Sequence, residues 1–153
     1  MVYSQMITIR TIQPEDRDAV YALAMRSKAV WGYTEPQMAA FRIEVEEMFD
    51  AADSGFVAEM EREIVAYYTL VVRNKKQIEL DHLFVDAGRM KQRIGTQLME
   101  HAINTARSGG YKVMSLINDP NAPGFYEKFG ARKIGDHCSS LTGRMIPIME
   151  IEL

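Results

Sequence analysis

The sequence lacks the features that mark secreted and membrane-spanning proteins. Its 153 residues include one cysteine, Cys138, which excludes an internal disulfide and predicts a reducing, cytoplasmic location. The longest apolar run, residues 64–72, is far shorter than the ~20 residues that a membrane span requires. Residues 1–13 lack the basic and apolar regions of a secretory signal. We therefore expect no membrane partner.

The chain also lacks an excess of positive charge. Its 18 Lys and Arg residues are outnumbered by 21 Asp and Glu residues, which gives a formal net charge of −3. Because nucleic-acid-binding proteins favour a basic face, no nucleic-acid partner is expected. The histidines His82, His101 and His137 are not spaced as metal ligands, so we expect no bound metal either.

The composition is that of one globular domain spanning residues 1–153, with 47% hydrophobic and 25% charged residues. Periodicity and turn residues predict both strands and helices. The predicted strands are residues 7–10, 56–60, 64–72, 77–85, 112–117, 132–136 and 144–153. The predicted helices are residues 14–27, a segment beginning at Pro36, residues 92–108 and residues 122–129. Pro147 lies inside the last strand and predicts a sheet edge or a bulge there, because proline cannot donate to the ladder.

The most informative segment is residues 83–96, LFVDAGRMKQRIGT, which predicts a strand, a loop and the start of a helix. A helix start exposes unpaired backbone N–H groups and the positive end of the helix dipole, and both favour phosphate. Lys91 and Arg93 add positive charge, and Gly95 lets a ligand approach the backbone closely. The alternative interpretation is an ordinary strand-to-helix turn with solvated charges.

A second segment, residues 119–131, reads DPNAPGFYEKFGA and follows about one strand later. Together the two segments resemble the acetyl-CoA-binding core of the GNAT N-acetyltransferase superfamily. The resemblance implies an α/β (α+β) fold, in which helices flank a mixed, mostly antiparallel sheet that is splayed between its two central strands. It also implies that the co-substrate acetyl-CoA gives its acetyl group to a primary amine, by direct attack in a ternary complex and without a metal.

The resemblance assigns the donor to a defined set of residues. The pyrophosphate would lie on the backbone amides of Gln92, Arg93, Ile94, Gly95 and Thr96, and the pantetheine arm along the backbone of Leu83, Phe84 and Val85. Further donor contacts would come from Lys91, Asn121 and Phe125.

Three positions depart from the family pattern. Met90 stands where Gln or Arg is usual, Arg93 replaces the first Gly, and Asp119 replaces Asn. Arg93 can still offer its N–H group to a phosphate if its φ is negative. Because of these departures, an acyl-CoA-binding sensor or regulatory protein without catalysis remains the alternative function.

The same resemblance suggests the catalytic groups. Tyr126 matches the general acid, and a phenol with an ordinary pKa near ~10 is a fair proton donor to a thiolate; its alternative role is core packing. Glu79 is the first candidate for the base, with Asp81 two residues on and therefore on the same strand face; a water chain is the other possibility. His82 is expected to face the opposite side.

For the acceptor, the resemblance indicates the loop between the first two helices and the C-terminal strands. Trp31, Tyr33 and Phe41 would form apolar walls, and Arg144 could hold a carboxylate; a lone Trp is otherwise a buried anchor. The expected partner is a small-molecule or peptide amine. A homodimer through the last strand is possible, and an interaction module without affinity for CoA is the third alternative.

Overall fold

The computed structural model describes residues 6–89, 92–118 and 124–153, which form a seven-stranded sheet with helices on both faces. The strands are β1 Thr8–Thr11, β2 Ser54–Met60, β3 Glu63–Val72, β4 Gln77–Val85, β5 Val113–Ile117, β6 Arg132–Cys138 and β7 Met145–Glu152. The α-helices are α1 Arg17–Ala29, α2 Glu35–Ala51 and α3 Ile94–Ser108. Short 3-10 helices span Pro14–Asp16, Ala87–Arg89 and Tyr126–Phe129. No described helix is long and apolar enough to cross a membrane.

The strand order is β1-β2-β3-β4-β5-β7-β6, and every neighbouring pair is antiparallel except β4 and β5. The expected mixed, mostly antiparallel sheet is therefore confirmed. The last strand, β7, lies between β5 and β6, so the expectation of a sheet edge at Pro147 is wrong, and an edge-to-edge dimer cannot use β7.

No bulge lies at Pro147 either, because the register shift of this strand pair falls between Lys133 and Gly135 of β6. The proline is tolerated for another reason. Its carbonyl accepts a hydrogen bond of 2.8 Å from the backbone N–H of Asn118, just past the end of β5. A strand residue directs its N–H and C=O to the same neighbouring strand, so the N–H that proline lacks would have pointed towards β5. The pairing with β5 ends at this point, and little is therefore lost.

Two apolar clusters cover the two faces of the sheet. One lies under α3 and includes Leu98 and Met99, and the other lies under α1 and α2 and includes Leu23 and Val45. Successive residues of β3 serve both, because side chains alternate along a strand: Tyr67 packs under α1 and α2, whereas Tyr68 packs under α3. The central strands are thus fixed from both sides.

The helix starts follow local signals in the sequence. Thr34 caps α2, since its hydroxyl accepts a hydrogen bond from the N–H of Gln37 while the Gln37 side chain accepts one from the N–H of Thr34. The helix predicted for residues 14–27 begins instead with a 3-10 turn at Pro14 and continues as α1. The cap fixes the residue at which α2 begins, and α2 packs on the same sheet face as α1.

The two central strands separate partway along their length, as expected from the splayed sheet. β4 and β5 pair from Gln77 opposite Val113 to Leu80 opposite Leu116, and β4 then continues to Val85 paired with β3 but not with β5. On its other side, β4 has a bulge: Leu80 pairs with Leu70 and His82 pairs with Thr69 of β3, so Asp81 is an extra residue. Both features lie at the same point of the sheet.

Candidate active site

A cavity of about 410 Å³ opens where β4 leaves β5. Its walls come from α1, α2, the bulged part of β4, the 3-10 helix after β5, and the end of β6 with the segment that follows it. The lining residues include Lys28, Tyr33, Phe41, Glu44, Glu47, Asp81, His82, Phe84, Tyr126, His137 and Ser140. The cavity therefore combines aromatic rings with titratable groups from five distant parts of the chain.

The bulge at Asp81 determines which β4 side chains reach the cavity. One extra residue reverses the alternation of the strand, so Asp81, His82 and Phe84 all line the cavity. The expectation that His82 faces the opposite side from Asp81 is therefore wrong. Glu79 precedes the bulge, is hydrogen-bonded to the Arg73 guanidinium, and is absent from the cavity lining.

Asp81, His82 and Tyr67 form a polar group at the cavity wall. His82 Nε2 lies 3.9 Å from Asp81 Oδ2, and its Nδ1 lies 3.0 Å from the Tyr67 hydroxyl. Burial lowers the pKa of His82 to about 4, and the charge of Lys28 acts in the same direction, so the imidazole is neutral near pH 7. Burial raises the pKa of Asp81, and Arg73 opposes that change. Asp81 is thereby a better proton acceptor than an ordinary carboxylate.

The aromatic wall holds a cation. Lys28 Nζ lies 4.9 Å from the ring centre of Tyr33, 5.1 Å from that of Phe41 and 6.0 Å from that of Phe84. Phe41 and Phe84 also meet edge to face, with their centroids 5.8 Å apart. Tyr33 and Phe41 therefore both line the cavity, and their role as walls for the acceptor stays a prediction.

Glu44 faces the same space from α2. The Ser140 hydroxyl donates a hydrogen bond of 3.2 Å to Glu44 Oε1, which joins α2 to the segment after β6 across 96 positions of sequence. Burial raises the pKa of Glu44, against the opposing effects of Ser140 and Lys28. Sequence reasoning missed Glu44, although it lies three residues after Phe41 and therefore shares its helix face.

Tyr126 is 7% exposed and lines the cavity from the 3-10 helix after β5. Its ring meets that of Phe125, with centroids 5.0 Å apart. Its placement brings a phenol into the same cavity as the Asp81 carboxylate. Trp31 is 45% exposed and Arg144 is also exposed, and neither lines the cavity. The alternative of Trp31 as a buried anchor is wrong as well.

The backbone at the start of α3 differs from the expectation at one residue. Arg93 has a φ of 60°, in the left-handed region, so the condition of a negative φ for its N–H contact is not met. Gln92 is exposed like Arg93, Ile94 is buried and Thr96 is half-buried. At Gly95 a Cβ atom would lie 3.5 Å from the Phe125 ring and 3.6 Å from Val85, so the helix start packs closely on β4 and the 3-10 helix. Among the donor-site predictions, Met90, Lys91, Asp119 and Asn121 lie outside the described residues.

One buried polar atom remains without a partner at the opening. Asn118 follows β5 directly, is 8% exposed, and its Oδ1 finds no hydrogen-bond donor among the described residues. A buried amide oxygen without a partner costs free energy, which an arriving N–H group would recover. On β4, Leu83, Phe84 and Val85 are half-buried, and the Val85 carbonyl accepts a hydrogen bond of 3.1 Å from Ser27.

Metal ligation is not a feature of the described part of this cavity. Within residues 6–89, 92–118 and 124–153, no group of three or more His, Cys, Asp or Glu side chains is arranged to hold a metal ion. The chemistry available to the described side chains is proton transfer, hydrogen bonding and contact with aromatic rings.

A sequence model of the acetyltransferase (GNAT) family matches residues 17–131. No curated protein sequence matches the chain at a significant level. Among solved structures, the chain is similar to the PaiA N-acetyltransferase from Thermoplasma acidophilum in complex with coenzyme A. That match has 18% identity, covers 97% of this chain and 99% of the other, and has a TM-score of 0.79.

Two further structures extend the likeness. A GNAT family acetyltransferase from Elizabethkingia anophelis with acetyl-CoA bound is 18% identical over 96% of this chain and 98% of its own, with a TM-score of 0.73. The ribosomal-protein-S18-alanine N-acetyltransferase from Escherichia coli is 21% identical over 96% and 94%, with a TM-score of 0.74. At these identities the likeness establishes the fold.

Proposed function

The chain belongs to the acetyltransferase (GNAT) family, and we propose that it transfers the acetyl group of acetyl-CoA to a primary amine bound in the cavity between α2 and β4. The observation that carries this proposal is the meeting of Asp81 and Tyr126 on one cavity, beside the end of β4 that β5 leaves unpaired. The amine attacks directly, with donor and acceptor bound together.

The exposed end of β4 suits the extended arm of the donor. Beyond Leu80 the side of β4 that faced β5 has no strand partner in the described part of the chain, so Leu83, Phe84 and Val85 can pair with a pantetheine chain. We assign Asn118 to the same ligand, because its buried oxygen needs an N–H group at that point. Backbone amides after Arg93 would meet the pyrophosphate, with Phe125 beside them. When bound, acetyl-CoA supplies an activated acyl carbon.

Asp81 is our choice for the base. An amine must lose its proton before it can attack, and a carboxylate whose pKa is raised accepts that proton more readily, directly or through a water molecule. Burial acts oppositely on the neighbouring His82, whose pKa is lowered to about 4, so this imidazole is a weaker base than an ordinary histidine. Glu79 is held by Arg73 away from the cavity lining, which favours Asp81 of the two carboxylates predicted from the sequence.

Tyr126 is our choice for the acid that protonates the departing thiolate. It enters the cavity from the segment after β5, whereas Asp81 enters it from β4. The two groups therefore reach the cavity from different segments, one suited to take a proton and the other to give one. The acceptor and the donor thioester would meet in the cavity that both residues line.

The identity of the amine is the finer part of the proposal. Both a small molecule and a peptide are consistent with the family, since one structural neighbour is named for an aminoglycoside and another for a ribosomal-protein alanine. We propose a cytoplasmic location, which the exposed thiol of Cys138 supports. In a homodimer that pairs strands, the described sheet offers two edges, β1 and β6, and light scattering would give the mass.

A thermal melt tests the donor site first. We expect acetyl-CoA and CoA to raise the melting temperature and ATP to leave it unchanged, because a ligand that binds the native state adds stability. Gly95→Glu should abolish the rise by placing a charged side chain between the helix start and the ligand. Asn104→Glu, the same charge change at an exposed position of α3, is the control.

An amine panel with detection of free CoA thiol then tests transfer. Stabilisation together with thiol release that depends on an amine supports the proposal. Stabilisation without release from any amine would favour the sensor alternative. The absence of both effects would favour an interaction module.

A further inference from the structure

The cavity carries more negative than positive charge. Among the described residues that line it are three carboxylates, Glu44, Glu47 and Asp81, which outnumber the ammonium group of Lys28 even with His137 counted as a second cation. His82 contributes no charge near pH 7, because burial lowers its pKa to about 4. A cationic amine is therefore attracted into this cavity before it loses its proton.

Acetyl transfer uses only one of these carboxylates. Asp81 serves the reacting amine, whereas Glu44 projects from α2 on the opposite wall and has no part in that step. The Ser140 hydroxyl fixes the Glu44 carboxylate at 3.2 Å, so its position is defined before any ligand arrives. Glu47, one turn further along α2, is exposed and not fixed in this way.

Lys28 does not neutralise Glu44 by direct contact. Its ammonium group lies over the rings of Tyr33, Phe41 and Phe84, and in the part of the chain that the structure describes no cation lies within 4.0 Å of the Glu44 carboxylate. A partly buried carboxylate without a cation at hand gains most from a cation that a ligand brings. The burial of Glu44 is consistent with that role.

We propose that Glu44 is a specificity-determining residue that binds a second cationic group of the acceptor, so that the preferred substrates are amines carrying another positive charge. This inference rests on the proposed function, because Asp81 and Tyr126 must act on the first amine. An apolar spacer between the two charged groups would lie along Phe41 and Phe84, whose rings line the cavity between α2 and β4.

The test compares 1,4-diaminobutane with 1-aminobutane as acceptors, measured as thiol release from acetyl-CoA. These amines differ by one terminal cation. We expect kcat/KM to favour the diamine by about tenfold, mainly through KM, since a charge-assisted contact is lost with the monoamine. Glu44→Gln should reduce this preference to about one by raising KM for the diamine alone.

Glu46→Gln is the matched control. It makes the same charge change on the same helix, but Glu46 is exposed and lies outside the cavity. The diamine preference should survive in this variant. Loss of the preference in both variants would mean that the overall charge, and not a contact at Glu44, selects the acceptor, and would overturn the inference.

Other outcomes separate the inference from the proposed function. If wild-type protein acetylates both amines equally, the transfer reaction stands and the role of Glu44 is wrong. Faster acetylation of 4-aminobutanoate than of the diamine would also overturn it and would indicate that Lys28 binds a carboxylate. If no amine releases thiol, the proposed function fails. Calorimetry then measures the affinity of wild-type and Glu44→Gln protein for the diamine. Equal affinities would contradict a contact between Glu44 and the second cation.

Discussion

The two halves of the proposed active site are built from different groups, one mainly from backbone and the other from side chains. The donor half consists mainly of backbone. It comprises the end of β4 that β5 does not pair with and the start of α3, which follow each other closely in sequence. The acceptor half consists of side chains from α1, α2, β4 and the segment after β6, which meet only in the folded protein. A backbone site tolerates changes of side chain, whereas a side-chain site changes its ligand when one residue changes.

The largest effect that would sharpen this comparison is the loss of the base. We expect Asp81→Asn to lower kcat/KM by about 10²–10⁴-fold, because general base catalysis is worth that much, while affinity for CoA stays unchanged. Wild-type activity should fall as the pH drops through the pKa of Asp81, which burial raises above its ordinary value. The variant should lack that acid limb in its pH profile.

Glu79→Gln is the matched control for the base, because it removes the neighbouring carboxylate on the same strand. We expect a small effect, since Glu79 is paired with Arg73 and does not line the cavity. A larger loss in Glu79→Gln than in Asp81→Asn would return the role of base to Glu79.

Removal of the acid comes next in size. We expect Tyr126→Phe to lower kcat by about 10- to 100-fold. General acid catalysis contributes about 100-fold or more when it is fully effective, so this range describes an acid of modest effect. Its CoA affinity, measured by calorimetry, should be nearly unchanged, because the ring and its contact with Phe125 are retained. Equal activity of the two proteins at every pH would leave Tyr126 as a packing residue.

A change on the donor side should raise the stability of the free protein and weaken its binding of CoA. Asn118→Leu replaces a buried amide, whose oxygen has no hydrogen-bond donor among the described residues, with an apolar group of similar size, so the free energy of unfolding without ligand should rise by about 1 kcal/mol. The same change should weaken CoA binding by about tenfold, because the ligand loses its hydrogen-bond partner. Chemical denaturation and calorimetry measure the two effects. A variant that is less stable and binds CoA normally would show that the amide serves the fold.

The smallest effect concerns the left-handed residue at the helix start. Arg93→Gly relieves a φ of 60°, so the free energy of unfolding should rise by up to about 1 kcal/mol. Arg62→Gly relieves a similar φ of 69° in the turn between β2 and β3. Its free energy of unfolding should rise by about the same amount as that of Arg93→Gly. If the backbone carries the donor site, CoA affinity should change by less than about threefold in either variant. A tenfold loss in Arg93→Gly alone would assign the contact to the guanidinium group.

The sequence predicted the features that depend on neighbouring residues. The ends of β4 were predicted correctly from local periodicity, and the strand-to-helix segment was identified from its charges and glycine. The bulge at Asp81 could not be predicted in this way, because it arises from the register between β4 and β3. The orientation of His82 was wrong for that reason alone.

The acceptor half was predicted less completely, for a related reason. Phe41 and Tyr33 were found as aromatic residues near the expected loop, but Glu44 acquires its setting from Ser140, which is distant in sequence. No local pattern records such a contact. Trp31 and Arg144 were chosen for their residue types, and the fold leaves both outside the cavity.

The bulge at Asp81 has a consequence for the speed of binding. It lies at the level where β4 and β5 separate, and it belongs to the register that β4 adopts against β3. The gap between β4 and β5 is thus part of the native sheet and does not await a fluctuation. A preformed entrance of this kind spends no free energy on opening, and the rate of donor association should follow encounter with the protein rather than a conformational exchange within it.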